Sequence, residues 1–213
     1  MIQLINDDCM NVMRKFDDHH FDLAIIDPPY RDQKDNDPNQ WMRAYSGDRM
    51  RSFGDKPNKE YFDELFRVSK NQIVWGGNYF PYLWSLNTEG CKGFIFWYKH
   101  QHLPTFADGE LAWTSFNKVA HCFDFMYSGG SQKGTYQKKI HPTQKPIELY
   151  DWILHNYAEK GQKILDTHLG SGSIAISCHY FGVDLVGIEI DEDYYKTAKQ
   201  RVGELTSQEM LFK

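Results

Sequence analysis

Short apolar runs alternate with amphipathic stretches along most of the chain. The uninterrupted run from Leu23 to Ile26 is typical of a strand buried on both faces of a parallel sheet. Strands are predicted at residues 1–5, 21–26, 72–75, 93–98, 110–116, 123–127, 163–166 and 184–190, and helices at 10–16, 60–68, 147–157, 174–181 and 192–205, with a helix or turn at 79–86. Strands that alternate with helices predict an α/β fold.

The strand at residues 21–26 ends at the sequence Asp27-Pro28-Pro29-Tyr30. Proline does not continue a central strand, so this edge becomes a stiff, extended loop that carries one carboxylate and one aromatic ring. In open α/β sheets, ligands bind at the carboxyl ends of the strands. The alternative is a plain proline turn capped by Asp27, because Asp and Pro are common turn residues.

A second candidate site lies between Lys163 and Glu189, where a strand, a glycine-rich loop, a helix and another strand follow one another. Gly170 and Gly172 would let the backbone approach a ligand, and an acid at the end of the second strand can hold ribose hydroxyls. The spacing also fits a dinucleotide fingerprint. A glycine-rich turn without any ligand is the alternative.

Charged residues beside this loop separate the ligands. A pyrophosphate calls for backbone amides without a competing anion, whereas Asp166 is better suited to a cation such as the ammonium of an amino acid. Lys145 could meet the matching carboxylate. A nucleoside joined to an amino acid without a phosphate is S-adenosylmethionine, which these residues therefore indicate.

Composition and charge narrow the class of protein. The 213-residue chain has a formal net charge of −5, which does not suggest nucleic-acid binding, although residues 131–145 contain four lysines and no acid. No stretch approaches the ~20 apolar residues of a membrane span, and the N-terminus lacks the regions of a signal peptide, so we expect a cytoplasmic protein. The four cysteines are scattered without a CxxC pair, so we expect neither a disulfide nor a metal site.

Several motifs together resemble the amino-group DNA methyltransferases. Asp27-Pro28-Pro29-Tyr30 resembles their catalytic motif, and residues 166–173 resemble their S-adenosylmethionine loop, commonly Asp-Pro-Phe-x-Gly-Ser-Gly-Thr. Residues 141–146, His-Pro-Thr-Gln-Lys-Pro, are similar to the segment that precedes this loop in the β class, whose motif order also matches. Asp8-Cys9 resembles a Gly-Asp-Cys segment that contacts the adenine of the cofactor in that family. The departures from the family pattern are Asp7, Thr167, His168 and Ser173.

This resemblance implies a Rossmann-like methyltransferase fold with a mostly parallel seven-stranded sheet, flanked by helices, in which the motif order is circularly permuted. It implies that Asp27 and the Pro28 carbonyl accept the N–H groups of the target amine and that Tyr30 stacks on a flipped base. The implied catalytic residues are Asp27, Pro28, Pro29 and Tyr30. The implied cofactor-binding residues are Asp8, Cys9, Asp27, Thr143, Lys145, Asp166, His168, Leu169, Gly170, Ser171, Gly172, Ser173, Glu189 and Ile190.

The target amine is predicted to be N6 of adenine in double-stranded DNA. Asp27 favours adenine over N4 of cytosine, because enzymes of the cytosine subgroup more often have Ser at that position. Methylation at carbon-5 of cytosine would need a cysteine nucleophile, typically after proline, and the chain has no Pro-Cys pair. An RNA or protein amide substrate, a nicotinamide-dependent oxidoreductase and a catalytically silent DNA-binding module are the competing hypotheses.

The expected organisation is a single methyltransferase domain, residues 1–213, of bacterial or phage origin and without a membrane or metal partner. Residues 31–58 are predicted to be a mobile lid or DNA-contacting loop, and residues 117–140 a short target-recognition insert. So small a recognition region leaves open a short target site, a homodimer or help from a partner. The aromatic residues at 110–114 are assigned to the core rather than to the base pocket.

Overall fold

The computed structural model describes residues 1–30, 56–86, 93–100, 107–128, 131–132, 139–141 and 143–207. The strands are β1 Ile2–Asn6, β2 Phe21–Ile26, β3 Ser69–Trp75, β4 Phe94–Tyr98, β5 Gly109–Thr114, β6 His121–Asp124, β7 Tyr127–Ser128, β8 Ser131–Gln132, β9 Lys163–Asp166 and β10 Asp184–Glu189. The helices are α1 Cys9–Met13, α2 Lys59–Val68, α3 Pro81–Ser85, α4 Ile147–Tyr157, α5 Ser173–Phe181 and α6 Glu192–Ser207, and a 3₁₀ turn spans Gly77–Tyr79.

Eight strands form one sheet in the order β1-β10-β9-β2-β3-β5-β4-β6, and β7 pairs with β8 separately. Every ladder of the large sheet is parallel except those of β5, which runs antiparallel to β3 and to β4. The expectation of a mostly parallel sheet is confirmed, but the expected seven strands are corrected to eight. The outermost strand beside β4 is β6, which starts two residues before the strand predicted at 123–127.

Helices cover both faces of the sheet, which explains the continuous apolar runs of the central strands. Successive side chains of β2 point to opposite faces, so Leu23 and Ile25 belong to one core cluster while Ala24 and Ile26 belong to the other. The first cluster includes buried residues of α4, α5 and α6, and the second includes buried residues of α1, α2 and α3. Trp113 of β5 is buried in the second cluster, as expected for a core residue.

The parallel strands end at one edge of the sheet, and the predicted site residues collect there. Asp27 lies just beyond β2 and Asp166 ends the neighbouring β9, since Ala24 pairs with Leu165 in that ladder. The antiparallel strand β5 begins at the same edge, because its Ala112 lies opposite Trp75 near the end of β3. Glu110, two residues earlier, is therefore brought to the edge where the parallel strands finish.

Two predicted helix boundaries are corrected. Helix α1 ends at Met13 rather than at residue 16, and the following turn continues with shorter-range backbone bonds. The predicted N-cap of α4 at Thr143 is wrong, because α4 begins only at Ile147, after an extended Pro146 (φ −68°, ψ 151°). A proline disfavours helical geometry in the residue before it, so this helix cannot start earlier.

Residues 31–55 of the predicted lid and part of the predicted recognition insert lie outside the described residues. The described part of the insert includes β6, β7 and β8. Within the part of the chain that the structure describes, no helix has the length and apolar character needed to cross a membrane.

Candidate active site

Asp27 is held by two donors. The hydroxyl of Tyr30 donates to Asp27 Oδ1, and the ammonium of Lys145 forms an ion pair with Asp27 Oδ2. Lys145 comes from the segment before α4, so the ion pair joins parts of the chain that are 118 residues apart. Pro28 is buried directly beside this carboxylate and Pro29 is half-buried, which leaves the loop between Asp27 and Tyr30 little conformational freedom.

The ring of Tyr30 lies against two residues that follow β3. It stacks on Tyr79 with ring centroids 5.1 Å apart and an angle of 11° between the planes. It also covers Gly76, whose backbone is left-handed at φ 65°. Burial, with the negative charge of Asp27 beside it, raises the pKa of the Tyr30 hydroxyl well above its ordinary value, so this group remains a neutral donor.

Lys145 belongs to a larger cluster of charges. Its Nζ lies 3.1 Å from Glu110 Oε2, and Lys99 forms an ion pair with the other oxygen of Glu110. Burial by itself would raise the pKa of Glu110, but Lys145 and Lys99 outweigh it and lower this pKa to about 2. Burial likewise opposes the charge of Lys145, yet Asp27 and Glu110 leave its pKa raised. The cluster therefore alternates two carboxylates with two cations.

Sequence reasoning did not single out Glu110 or Lys99 as site residues. Both depend on the antiparallel direction of β5, which places the start of one strand and the end of β4 beside the catalytic loop. The only signal in the sequence was a charged residue at the start of an otherwise apolar run. A prediction of the direction of β5 would have been needed to use it.

The glycine loop after β9 is closed by an acid from β10. Gly170 and Gly172 have left-handed backbones, at φ 53° and 72°. The amide of Gly170 donates to Glu189 Oε2 at 2.8 Å, and the amide of Asp191 donates to Glu189 Oε1 at 3.0 Å. Each carboxylate oxygen can accept more than one hydrogen bond, so Glu189 keeps capacity for hydroxyl donors.

Asp166 is almost completely buried at the end of β9. The backbone amide of His168 donates to its Oδ1 at 3.0 Å, which fixes the orientation of the carboxyl group. Burial raises the pKa of Asp166 to about 8 despite this hydrogen bond, and the negative charges of Asp27 and Glu189 add to the rise. A cation placed beside Asp166 would relieve both effects.

The inner side of the glycine loop is fixed by a serine pair and an arginine. Ser171 and Ser173 hydroxyls lie 3.1 Å apart, and Ser173 donates to the carbonyl of Lys145 at 2.8 Å. Arg201 of α6 donates to the carbonyl of Ser171 at 2.8 Å. These contacts tie the loop to α6 and to the segment that carries Lys145.

His168 stands where the resembling family has an aromatic residue. Its Nδ1 lies 2.9 Å from Thr167 Oγ1, which is itself 2.6 Å from the hydroxyl of Tyr61. Burial lowers the pKa of His168 to about 4, so its ring is neutral near neutral pH. Thr167 and His168 thus complete a polar contact with α2 through Tyr61.

Other predicted cofactor-binding residues surround the same edge in different roles. Asp8 accepts from the amide of Met10 at 2.7 Å and caps α1, while burial raises the pKa of the neighbouring Cys9 to about 12. Leu169 is buried, whereas Ile190, just after Glu189, is 67% exposed. Thr143 is exposed, and its hydroxyl lies 3.1 Å from His141 Nδ1. Across the described ranges, no group of three or more His, Cys, Asp or Glu side chains could hold a metal ion.

Residues 74–200, more than half of the chain, match the N6/N4 methyltransferase family, which is described as DNA methylase. The chain belongs to the N6/N4 DNA methylase family. This result confirms the resemblance drawn from the motifs and removes the support for a nicotinamide-dependent oxidoreductase.

Relatives of this N6/N4 DNA methylase are similar over nearly its whole length. It is 24% identical to the putative methylase YubD of Escherichia coli K12, over 95% of this chain and 91% of that protein. It is 22% identical to the type II methyltransferase M.HpaI of Haemophilus parainfluenzae, over 94% of this chain and 74% of that protein.

Solved structures show the same fold. The crystal structure of an M1.HpyAVI–SAM complex superposes with a TM-score of 0.63 at 21% identity, covering 94% of this chain and 100% of that one. The PvuII DNA methyltransferase, which is cytosine-N4-specific, superposes with a TM-score of 0.64 at 12% identity, covering 97% of this chain and 92% of that one.

Proposed function

We propose that this DNA methylase transfers a methyl group from S-adenosylmethionine to the exocyclic N6 amine of a flipped adenine in double-stranded DNA. The observation that carries the proposal is the position of Asp27-Pro28-Pro29-Tyr30 beside the glycine loop. The two segments follow neighbouring parallel strands, β2 and β9. A methyl donor held by the loop and an amine held by Asp27 would meet at this edge of the sheet.

The residues of this edge suit the chemistry of an aromatic amine. The amine of adenine is a poor nucleophile, because its lone pair is delocalised into the ring. Asp27 and the carbonyl of Pro28 can each accept one N–H, which localises the lone pair and aligns it for in-line attack. Tyr30 would stack on the ring that carries the amine. Such a site works by positioning and needs neither a metal nor a covalent intermediate.

The donor site fits S-adenosylmethionine by its charges and surfaces. The cofactor supplies a methyl group on a positively charged sulfur. The buried carboxyl of Asp166 would face the ammonium group, and Glu189 would accept from the ribose hydroxyls. Ile190 offers an exposed apolar surface for the adenine ring, with Asp8 and Cys9 nearby in the family pattern. A structure related to this chain is described as complexed with S-adenosyl-L-methionine, that of TTHA0409 from Thermus thermophilus.

Lys145, Thr143, His168, Leu169 and the two serines of the loop stay predictions as cofactor contacts. The ammonium of Lys145 lies on Asp27 and Glu110, so a cofactor carboxylate would have to share it. The hydroxyl of Ser173 is used by the carbonyl of Lys145, which suits support of the loop better than direct contact.

N4 of cytosine is the second candidate amine. Its support is the similarity in fold to the PvuII enzyme, which is cytosine-N4-specific. Asp27 favours adenine, because Ser is more frequent at that position in the cytosine subgroup of the resembling family. The same acceptor pair would serve either amine, so only analysis of the product separates the two.

The remaining features of the proposal concern organisation. The chain forms a single domain in which the catalytic motif precedes the cofactor loop, in circularly permuted order. Residues 31–58 and 117–140 supply the DNA contacts and the sequence preference. DNA approaches the edge of the sheet at which β2 and β9 end, either to one copy or to a homodimer.

Product analysis tests the proposal directly. The protein is incubated with labelled S-adenosylmethionine and mixed-sequence duplex DNA, and the nucleosides are separated. N6-methyladenine is expected from the wild type, and Asp27→Ala should abolish it while cofactor binding is largely kept. Asp18→Ala removes an exposed carboxylate that pairs with Arg67 and is the matched control. Only N4-methylcytosine would overturn the adenine assignment, and no labelled DNA would overturn the function.

A further inference from the structure

Glu110 meets Lys145 at a position that leaves one carboxylate oxygen unused. Glu110 Oε2 is buried and lies 3.1 Å from Lys145 Nζ, but no group among the described residues makes a well-formed hydrogen bond to it. The other oxygen is taken by Lys99. Glu110 thus holds a spare buried acceptor beside an ammonium that is bonded elsewhere, which is an uncommon arrangement in a folded protein.

The ammonium in question is bonded to the proposed acceptor of the target amine. Both oxygens of Asp27 already have donors, Tyr30 on one side and Lys145 on the other. A carboxylate whose charge is drawn toward a close cation is a weaker acceptor for the N–H of a neutral amine. Full acceptor strength at Asp27 therefore requires Lys145 to shift part of its bonding away from Asp27.

Glu110 is placed to receive that bonding. Lys145 has three N–H donors and is 4% exposed, so it cannot turn to water instead. Its Nζ also lies 5.3 Å from the centre of the Trp75 ring, which closes another side of the ammonium. Two carboxylates and two cations keep the cluster neutral, and the charge of Lys145 is stabilised in either position.

We propose that Glu110 is a positioning residue for methyl transfer, which takes over Lys145 when Asp27 accepts the N–H of the target amine. This inference rests on the proposed function of Asp27. Glu110 touches neither the amine nor the cofactor in this scheme and acts only through Lys145. Its removal should therefore lower the rate of the chemical step without weakening the binding of cofactor or DNA.

The test compares Glu110→Gln with Glu110→Asp in steady-state kinetics. Gln keeps the shape but loses the charge, so kcat should fall roughly ten- to a hundredfold while both KM values stay within about twofold. Asp restores the charge one methylene further away and should recover part of kcat. Glu64→Gln is the matched control, because Glu64 forms a partly buried pair with Arg67 at 2.7 Å on α2, away from this edge.

Each outcome has a defined meaning. A wild type that labels no DNA overturns the proposed function itself. A wild type that methylates DNA while Glu110→Gln keeps its kcat, or changes only KM, overturns the role of Glu110 alone. If Glu110→Gln does not fold, Glu110→Asp gives the answer: a lowered kcat with unchanged KM supports the role, and a wild-type kcat overturns it.

Discussion

The ring of Tyr30 occupies the space that a side chain at Gly76 would need. A Cβ at residue 76 would lie 2.1 Å from Tyr30 Cε1 and 2.4 Å from Cδ1, far inside van der Waals contact. Gly76 follows β3 directly, while Tyr30 follows the neighbouring strand β2. The catalytic tyrosine is therefore positioned by the absence of a side chain on the next strand end.

Gly76→Ala should displace Tyr30 and lower the rate of methyl transfer at least tenfold, because the ring would leave its position beside Asp27. Gly161→Ala is the control, since Gly161 is also left-handed (φ 83°) but a Cβ there meets nothing within 4 Å. Both variants should lose about 1–2 kcal/mol from backbone strain, measured by urea unfolding. Equal rates in the two variants would contradict the positioning of Tyr30 by Gly76.

The parallel part of the fold and its glycine loop could be predicted because they leave local signals. The central strands are apolar without interruption, and Asp27, Asp166 and Glu189 each stand at the end of such a run. In a parallel sheet the ends of the strands meet at one edge, so three positions far apart in sequence could be placed together from the chain alone.

The charged cluster could not be predicted in the same way. Glu110 stands at the start of its strand, and only the antiparallel direction of β5 brings that start to the catalytic edge. The misplaced N-cap at Thr143 has a similar cause. Local chemistry favoured a cap there, whereas the proline at 146 and the ion pair of Lys145 hold the segment extended.

Asp166 should release a proton when the cofactor binds. With a pKa of about 8, it is protonated in the free protein near neutral pH. An ammonium beside it favours the carboxylate, so affinity for S-adenosylmethionine should increase as the pH rises toward about 8. Calorimetry near neutral pH in two buffers of different ionisation enthalpy measures the released proton.

Asp166→Asn provides the control for this proton release, because it removes the titrating group and keeps the shape. It should abolish the buffer-dependent part of the binding enthalpy. The same raised pKa predicts that the contribution of Asp166 to folding stability is complete below its ordinary pKa and is lost as the pH rises through about 8. Binding without proton release in the wild type would contradict an ammonium at Asp166.

Arg201 should stabilise the glycine loop from beneath. Its guanidinium donates to the carbonyl of Ser171 at 2.8 Å and to Ser173 Oγ at 3.2 Å, and the residue is buried. Arg201→Met should lower the free energy of unfolding by about 1.5–3 kcal/mol, since it leaves buried acceptors without their charged donor. Cofactor affinity should fall with it, because the loop loses its support.

Arg14→Met is the comparison for Arg201→Met. Arg14 pairs with Glu60 at 2.8 Å, but both side chains are more than half exposed, so its loss should change stability by less than about 1 kcal/mol. Urea unfolding measures both variants, and fluorescence titration measures their cofactor affinity. Equal losses of stability, or unchanged cofactor affinity in Arg201→Met, would show that Arg201 does not support the loop.

Tyr30 combines two contributions that two substitutions can separate. Tyr30→Phe removes only the hydroxyl bonded to Asp27, so the rate should fall about tenfold while base flipping is kept. Tyr30→Ala also removes the ring, and base stacking of about 1–3 kcal/mol should be lost with it. Single-turnover rates and the fluorescence of 2-aminopurine at the target position measure the two effects. Tyr82→Phe, whose hydroxyl lies 3.2 Å from the exposed Asp63, is the control. If Phe and Ala reduced rate and flipping equally, the ring of Tyr30 would have no part in holding the base.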